Sequence, residues 1–321
     1  MKKLRAAVIG VGYLGRFHAQ KYAQLQDVDL IGISDVDVTR ASEFAESVNT
    51  EVFPDYRALL DKVDIVSVVV PTQLHYEITS FFLDNSVHVL LEKPMTTTLK
   101  EAEQLVETAS ANNLVLQIGH LERFNPSFAA VKDKLHNPGF IEAVRIAPFK
   151  PRGTDVSVVL DLMIHDIEII QSFVKADIVS VHATGAPVYS KEPDIVSARI
   201  EFSSGCVANL TASRVSFKSE RKMRIFQQDS YIIVDFQNKK SEILKKGEVN
   251  ITSGVSEIMV EQLPVTDKDQ ILAETEAFID SVRNGTPVLV TGKDGMRALE
   301  TALIIDKKVK ESIEKLSLQN N

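Results

Sequence analysis

Between Arg5 and Ile118 short runs of β-branched and other apolar residues alternate with amphipathic stretches, the rhythm of parallel strands joined by crossover helices. The pattern predicts strands over Arg5 to Ile9, Leu30 to Asp35, Glu51 to Phe53, Ile65 to Val70, His88 to Leu91 and Val115 to Ile118. Helices fall between them, for example over Ile78 to Asp84 and over Leu99 to Ala111, where Leu99, Ala102, Leu105, Val106 and Ala109 form one stripe. The run Val66-Ser67-Val68-Val69-Val70 is apolar at nearly every position, as expected of a strand covered on both faces. Beyond about residue 120 strand-like runs follow one another without helices: Ile141 to Ala147, Ile178 to Thr184, Ile195 to Phe202, Val207 to Ser213, Lys222 to Phe226, Tyr231 to Phe236 and Ser241 to Leu244. One apolar helix, Leu160 to Val174, interrupts the start of that series, and two more, near Ile271 to Arg283 and Lys293 to Glu314, follow its end.

The expected fold class is therefore α/β, with an N-terminal doubly wound Rossmann domain over residues 1–120 and a C-terminal α+β domain with a largely antiparallel sheet over 121–321. The length of 321 residues agrees, at roughly 150 residues per domain. A formal net charge of −8 without any basic block argues against a nucleic-acid partner. The single cysteine, Cys206, excludes an intramolecular disulfide and multi-cysteine metal motifs, and it favours a reducing, cytoplasmic setting. Lys2 and Lys3 precede an apolar stretch, Ala6 to Ile9, that stops at Gly10, too short for a secretory signal. No run reaches the ~18 apolar residues of a membrane span, so no membrane partner is expected.

Chemistry enters first at Gly10-Val11-Gly12-Tyr13-Leu14-Gly15, directly after one predicted strand and opening a predicted helix. Glycines there permit a tight turn and close helix packing, while backbone N–H groups and the helix N-terminus favour a pyrophosphate. Gly10, Gly12, Tyr13, Leu14 and Gly15 are the expected cofactor contacts. Asp35 follows at the end of the second strand, where a carboxylate accepts hydrogen bonds from ribose hydroxyls and repels a 2′-phosphate. NAD is thereby favoured over NADP. Arg40 either softens that preference or is a solvated helix arginine.

Glu92-Lys93-Pro94 follows the fifth strand, at the sheet edge where ligands bind in open parallel sheets. Lys93 reads either as a lysine that moves a proton on a substrate hydroxyl or as an exposed loop residue. The spacing Asp161-Leu162-Met163-Ile164-His165 places an acid and an imidazole at i and i+4, where a carboxylate can orient a histidine base. Asp161 as a helix cap or first-turn acid and His165 as a core histidine remain alternatives. Asp166 and Glu168 read as solvated helix charges, and no metal site is expected because no further His or Cys stands at ligand spacing. Two loops, one carrying Pro71, Thr72, Gln73 and His75 and the other running from Gly119 through Arg123 to Pro126, are either plain strand-to-helix connections or, at the same sheet edge as the glycine turn, border the cofactor.

Together these motifs resemble the glucose-fructose oxidoreductase / inositol dehydrogenase family of NAD(P)-dependent sugar and polyol dehydrogenases. The resemblance spans the whole chain and includes Glu276-Ala277-Phe278 and Val290-Thr291-Gly292-Lys293-Asp294-Gly295 near its end. It implies that Lys93 is the active-site lysine, that Asp161 and His165 are the acid/base pair, and that the Lys93-Pro94 bond is cis. It also implies that Glu92 and Lys93 border the cofactor, and that an open-faced sheet in residues 121–321 supplies substrate contacts and a homodimer or homotetramer interface. The stretch from Asp161 to Glu168 is similar to the subgroup acting on nucleotide-linked amino sugars, the UDP-N-acetylglucosamine 3-dehydrogenases, which oxidise the sugar C3 hydroxyl to a ketone. That subgroup implies a nucleotide-sugar substrate, a downstream aminotransferase and a place in lipopolysaccharide or lipid A biosynthesis. Arg123, Lys150 and Arg152 then either meet a pyrophosphate or form surface ion pairs. A dehydrogenase of a free polyol such as inositol is the enzyme alternative, and a dinucleotide-binding sensor without turnover is the alternative of another class.

Overall fold

The computed structural model describes residues 2–150, 156–249 and 256–319. It contains two compact units, one of Met1–Phe124 with Lys268–Arg297, the other of Asn125–Asp267 with Ala298–Asn321.

In the first unit the chain runs β1 (Leu4–Ile9), α1 (Tyr13–Gln24), β2 (Val28–Ser34), α2 (Val38–Val48), β3 (Glu51–Val52), β4 (Ile65–Val68), α3 (His75–Asp84), β5 (His88–Glu92), α4 (Leu99–Ala111) and β6 (Leu116–Gly119). The six strands are all parallel in the order β3-β2-β1-β4-β5-β6, so β1 stands between β2 and β4, where the winding reverses. A ligand crevice forms beyond the carboxyl ends of the strands at such a reversal. Ala6, Ala7 and Val8 of β1 are fully buried, as the apolar run predicts. Helix starts follow local chemistry: Thr98 and Glu101 form a reciprocal capping box on α4, and the Asp37 carboxylate accepts the Arg40 N–H at the start of α2.

The second unit holds α5 (Pro126–Val131), β7 (Phe140–Ile146), α6 (Ile164–Phe173), β8 (Ile178–Ala186), β9 (Ile195–Phe202), β10 (Val207–Ser213), β11 (Glu220–Phe226), β12 (Ser230–Asp235), β13 (Lys240–Val249) and β14 (Ser256–Gln262). Their sheet has the order β14-β13-β12-β11-β7-β10-β9-β8, antiparallel throughout except where β7 and β10 run parallel. Alternation divides its faces. Ile141, Ala143, Ala198, Ile200, Leu210 and Ile225 point into a core shared with Ile167 and Ile170 of α6. Glu142, Ser197, Arg199, Asn209 and Thr211 line a cavity of about 570 Å³ on the other face.

Two features go beyond the sequence reading. In space, α7 (Gln270–Asn284) and the first turns of α8 (Gly292–Gln319) group with the first compact unit. The reason is apolar: Phe278 and Ile279 of α7 are buried in one core with Ala6, Val8, Tyr22 and Leu90. The edge strand β14 is also absent from the expected series, since its Ile258, Met259 and Val260 are all exposed and leave no in-and-out alternation to read.

Candidate active site

The turn after β1 shows why its glycines are needed. Gly10 has φ +87°, and a Cβ there would sit 2.3 Å from the Val69 carbonyl oxygen. A Cβ on Gly15 would sit 1.9 Å from the Gly10 carbonyl oxygen, so these two glycines let α1 pack directly onto the turn. Gly12 differs: nothing lies within 4 Å of its imagined Cβ, and it is the N-cap of α1 with no side chain bonded there. Open space over a bare helix N-terminus is the form of a phosphate cradle. Tyr13 stands exposed beside it and Leu14 is half-buried.

Asp35 closes the other side of this turn. Its Oδ2 accepts the Val11 N–H at 2.8 Å, tying β2 to the glycine turn, and its Oδ1 accepts the Asp37 N–H at 2.9 Å. Arg40 is not a merely solvated helix arginine, since its Nη2 donates to Asp35 Oδ1 at 2.7 Å. The carboxylate is thus fixed in place with one cation beside it.

After β4, Pro71 and Gln73 are exposed and Thr72 is half-buried, at the same sheet edge as the glycine turn. His75, expected among the cofactor contacts, is buried, with Nδ1 2.8 Å from the Pro94 carbonyl and Nε2 2.9 Å from the Val70 carbonyl. Burial lowers its pKa, and the two carbonyls act in the opposite direction. Its imidazole therefore braces the loop after β4 against the turn after β5. That turn contains a cis Lys93-Pro94 peptide bond. Lys93 is half-buried, and its backbone N–H donates to Glu92 Oε2 at 3.1 Å.

His120, at the end of β6, had no assigned role in the sequence reading. It is buried, and burial together with the Lys93 and Arg123 charges lowers its pKa to about 3, so its ring is neutral near pH 7. A neutral imidazole beside the Lys93 charge is a polar wall that adds no second cation. Arg123 is half-buried and donates to the Leu289 carbonyl at 3.2 Å.

In the second unit the chain enters α6 through a π-helical turn, Val159–Met163, which contains Asp161. Such turns recur at functional sites because they re-aim side chains within a helix. The Val159 N–H at its start is taken by the Ser157 hydroxyl at 3.2 Å, so Asp161 is not the cap but stands as an acid of the first turn. Asp161 and His165 are both half-buried. Asp166 and Glu168, read from the sequence as solvated, are both buried. Arg145 of β7 explains the first: its Nε and Nη2 meet Asp166 Oδ2 and Oδ1 at 2.9 and 2.8 Å, a bidentate pair anchoring the helix one residue beyond His165. Lys150 is exposed, and Arg152 lies outside the described residues.

Comparison with known proteins identifies the family. Residues 4–120 match the GFO/IDH/MocA oxidoreductase family, NAD-binding Rossmann fold, and residues 147–316 match the C-terminal alpha/beta domain of the same family. The chain is 38% identical to UDP-N-acetylglucosamine 3-dehydrogenase of Acidithiobacillus ferrooxidans, over 98% of this chain and 100% of that protein. Its fold superposes on a crystal form of the Acidithiobacillus ferrooxidans enzyme with a TM-score of 0.91, covering 97% of this chain and 99% of the other. Myo-inositol 2-dehydrogenase of Thermotoga maritima is 25% identical over 97% of this chain and 96% of its own. In fold alone, scyllo-inositol dehydrogenase of Lactobacillus casei, solved with NAD(H) and scyllo-inositol, matches with a TM-score of 0.79 at 23% identity, over 97% of this chain and 98% of its own.

Proposed function

Since the chain belongs to the GFO/IDH/MocA oxidoreductase family and its first unit is an NAD-binding Rossmann fold, we propose that it oxidises a secondary hydroxyl of a nucleotide sugar, namely C3 of UDP-N-acetylglucosamine. The observation that carries this reading is the 38% identity to an enzyme of that name over nearly the whole of both chains. The glycine turn fits the cofactor on its own evidence, because Gly12 leaves open space at the bare N-terminus of α1. When bound, NAD supplies the acceptor for the hydride leaving the carbinol carbon.

The chain's own residues divide the remaining work. The Gly10–Gly15 turn receives the pyrophosphate on backbone N–H groups. Asp35, held by Val11 and Arg40, receives the ribose hydroxyls. Pro71, Thr72, Gln73 and Glu92 border the cofactor, while His75 fixes the backbone around them. Lys93 donates a hydrogen bond to the substrate hydroxyl and stabilises the oxygen as its proton departs. His165 takes that proton, and Asp161 orients the imidazole; Arg145 and Asp166 hold the helix that carries both. The neutral His120 ring leaves Lys93 as the cation of the first unit at the reacting oxygen. Lys150, Arg152 and Arg123 are assigned to the substrate pyrophosphate.

The product is a ketone, and the reaction that consumes it is amine transfer by a separate aminotransferase, in keeping with lipopolysaccharide or lipid A assembly. A cytoplasmic homodimer or homotetramer completes the reading, with the open sheet face around Glu142 and Arg199 as the interface. Among the described residues no helix is long and apolar enough to cross a membrane. The test is NADH formation, with an amine present to trap the ketone product, across UDP-N-acetylglucosamine, other nucleotide sugars, free N-acetylglucosamine, glucose and inositol. Binding energy from uridine and pyrophosphate should make the free amino sugar a poor substrate in both affinity and turnover. Efficient oxidation of inositol or glucose, with no nucleotide sugar accepted, replaces this reading with the polyol dehydrogenase.

A further inference from the structure

Behind the turn that carries Lys93, α1 places a histidine and α7 a glutamate in the interior of the first unit. His18 is 1% exposed and Glu274 0%, and Glu92 at the end of β5 is 8% exposed. One ligand-type atom from each lies within 4.8 Å of the other two, and His18 Nε2 stands 3.4 Å from Glu92 Oε1. Neither carboxyl oxygen of Glu274 meets a hydrogen-bond partner among the described residues, and neither does His18 Nδ1. An ionised carboxylate so placed costs several kcal/mol. Burial first, and the negative Glu92 second, raise the Glu274 pKa well above the ordinary glutamate value. Glu274 therefore keeps its proton near neutral pH, and a neutral carboxyl group has one O–H to give. Glu92 is the nearest anionic acceptor. The three polar atoms lie within 4.8 Å of one another, which puts the Glu274 proton within reach of Glu92 directly or through a single intervening molecule of water size.

We propose that His18, Glu92 and Glu274 form a buried proton-sharing cluster in which Glu274 is a positioning residue for Lys93. The link is short. Glu92 Oε2 accepts the Lys93 backbone N–H at 3.1 Å, while its carboxyl group is wedged against Gly119, where an added Cβ would lie 3.0 Å from the Glu92 Cδ. Fixing the Glu92 carboxyl group fixes the backbone from which the Lys93 side chain projects. A shift of about 1 Å in a reacting group costs on the order of a hundredfold in rate, so a single hydrogen bond at this distance has leverage on turnover. The titratable groups facing the cluster are His18 and Tyr22 from α1, Glu92 and Lys93 at the end of β5, and His75 from α3.

This inference rests on the role given to Lys93 above, so its test separates the two. Glu274→Gln keeps a neutral donor of the same shape, and Glu274→Ala removes it. The infrared difference spectrum of wild type minus Glu274→Gln at pH 7 should contain the carbonyl band of one protonated carboxyl group. A raised folded-state pKa contributes stability that is fully present below the unfolded glutamate pKa and is lost as pH rises, so the melting temperature of Glu274→Gln should gain on wild type from pH 5 to pH 8. In turnover, Glu274→Gln should stay within about threefold of wild type, whereas Glu274→Ala should lose about tenfold or more in kcat with KM for NAD nearly unchanged. Absence of the protonated band, or one equivalent of a divalent metal in elemental analysis of the purified protein, overturns the cluster. Full kcat in Glu274→Ala overturns the positioning role. Absence of wild-type turnover on every sugar tested falls on the proposed function instead, and the infrared and melting results still judge the cluster.

Discussion

Replacing Asp35 with Ser should shift the cofactor preference by an amount the geometry allows us to work out. The carboxylate is nearly buried, is held by the Val11 and Asp37 N–H groups, and has the Arg40 guanidinium at 2.7 Å. A 2′-phosphate brought against it at about 4 Å meets roughly 4 kcal/mol of repulsion per unit charge at an effective dielectric constant near 20. Arg40 offsets about half of this, less whatever solvent screens at its exposed end, leaving roughly 2 kcal/mol, or about thirtyfold in favour of NAD. Asp35→Ser removes the full repulsion and leaves the Arg40 attraction for a phosphate, so NADP should tighten by more than about thirtyfold. NAD should weaken by about tenfold, because the ribose loses a charged acceptor worth about 1.5 kcal/mol. Adding Arg40→Ala should remove the Arg40 share and bring the NADP gain back to about thirtyfold. Calorimetric titration with each cofactor measures both constants, and it suits a chain without tryptophan. Wild-type affinities for NAD and NADP within about threefold of each other, or an unchanged ratio in Asp35→Ser, would refute the argument.

Lys93→Met and His165→Ala should each leave the NAD Kd nearly unchanged and lower kcat by about a hundredfold or more, and Asp161→Asn combined with His165→Ala should be less than additive. Retention of most turnover in His165→Ala at saturating substrate would transfer the proton to Lys93 alone. Arg145→Met strands the buried Asp166 carboxylate and should cost about 3–5 kcal/mol in urea unfolding, with much of it recovered by also replacing Asp166 with Leu; a loss below about 1 kcal/mol would contradict the pairing. His120 has a lowered folded-state pKa, so its contribution is present above the unfolded value near 6.5 and is lost as pH falls toward about 3. Relative to His120→Asn, wild type should therefore lose roughly 2 kcal/mol between pH 7.5 and pH 5; a pH-independent difference between the two would show that the ring is not buried in its neutral form.

The first unit was legible in the sequence where local constraints are strong. Apolar runs of period appropriate to covered strands mark β1, β4 and β5, and no residue but glycine satisfies positions 10 and 15. What escaped reading has a common cause in long-range placement. The amphipathic stripe of α7 shows that Phe278 must be buried but not in which core, and the core it joins is encoded more than 200 residues earlier, by Ala6 and Val8. A π turn at Val159–Met163 leaves the same apolar stripe as a regular helix, so the widened turn at Asp161 is invisible to periodicity. Asp166 looks like any helix carboxylate until Arg145 is found opposite it. His18, Glu92 and Glu274 belong to three distant segments, and only the folded chain brings their polar atoms within 4.8 Å.

The most direct test of the account is mass spectrometry of UDP-N-acetylglucosamine incubated with the protein, NAD and a trapping amine. Oxidation at C3 lacks a strong driving force, so the trap must drain the ketone before NADH accumulation is informative. The account predicts a nucleotide sugar lighter by about two mass units, or its amine adduct, formed with NADH and absent in Lys93→Met. An unmodified nucleotide sugar under trapping conditions, from protein that binds NAD and oxidises inositol, would contradict it.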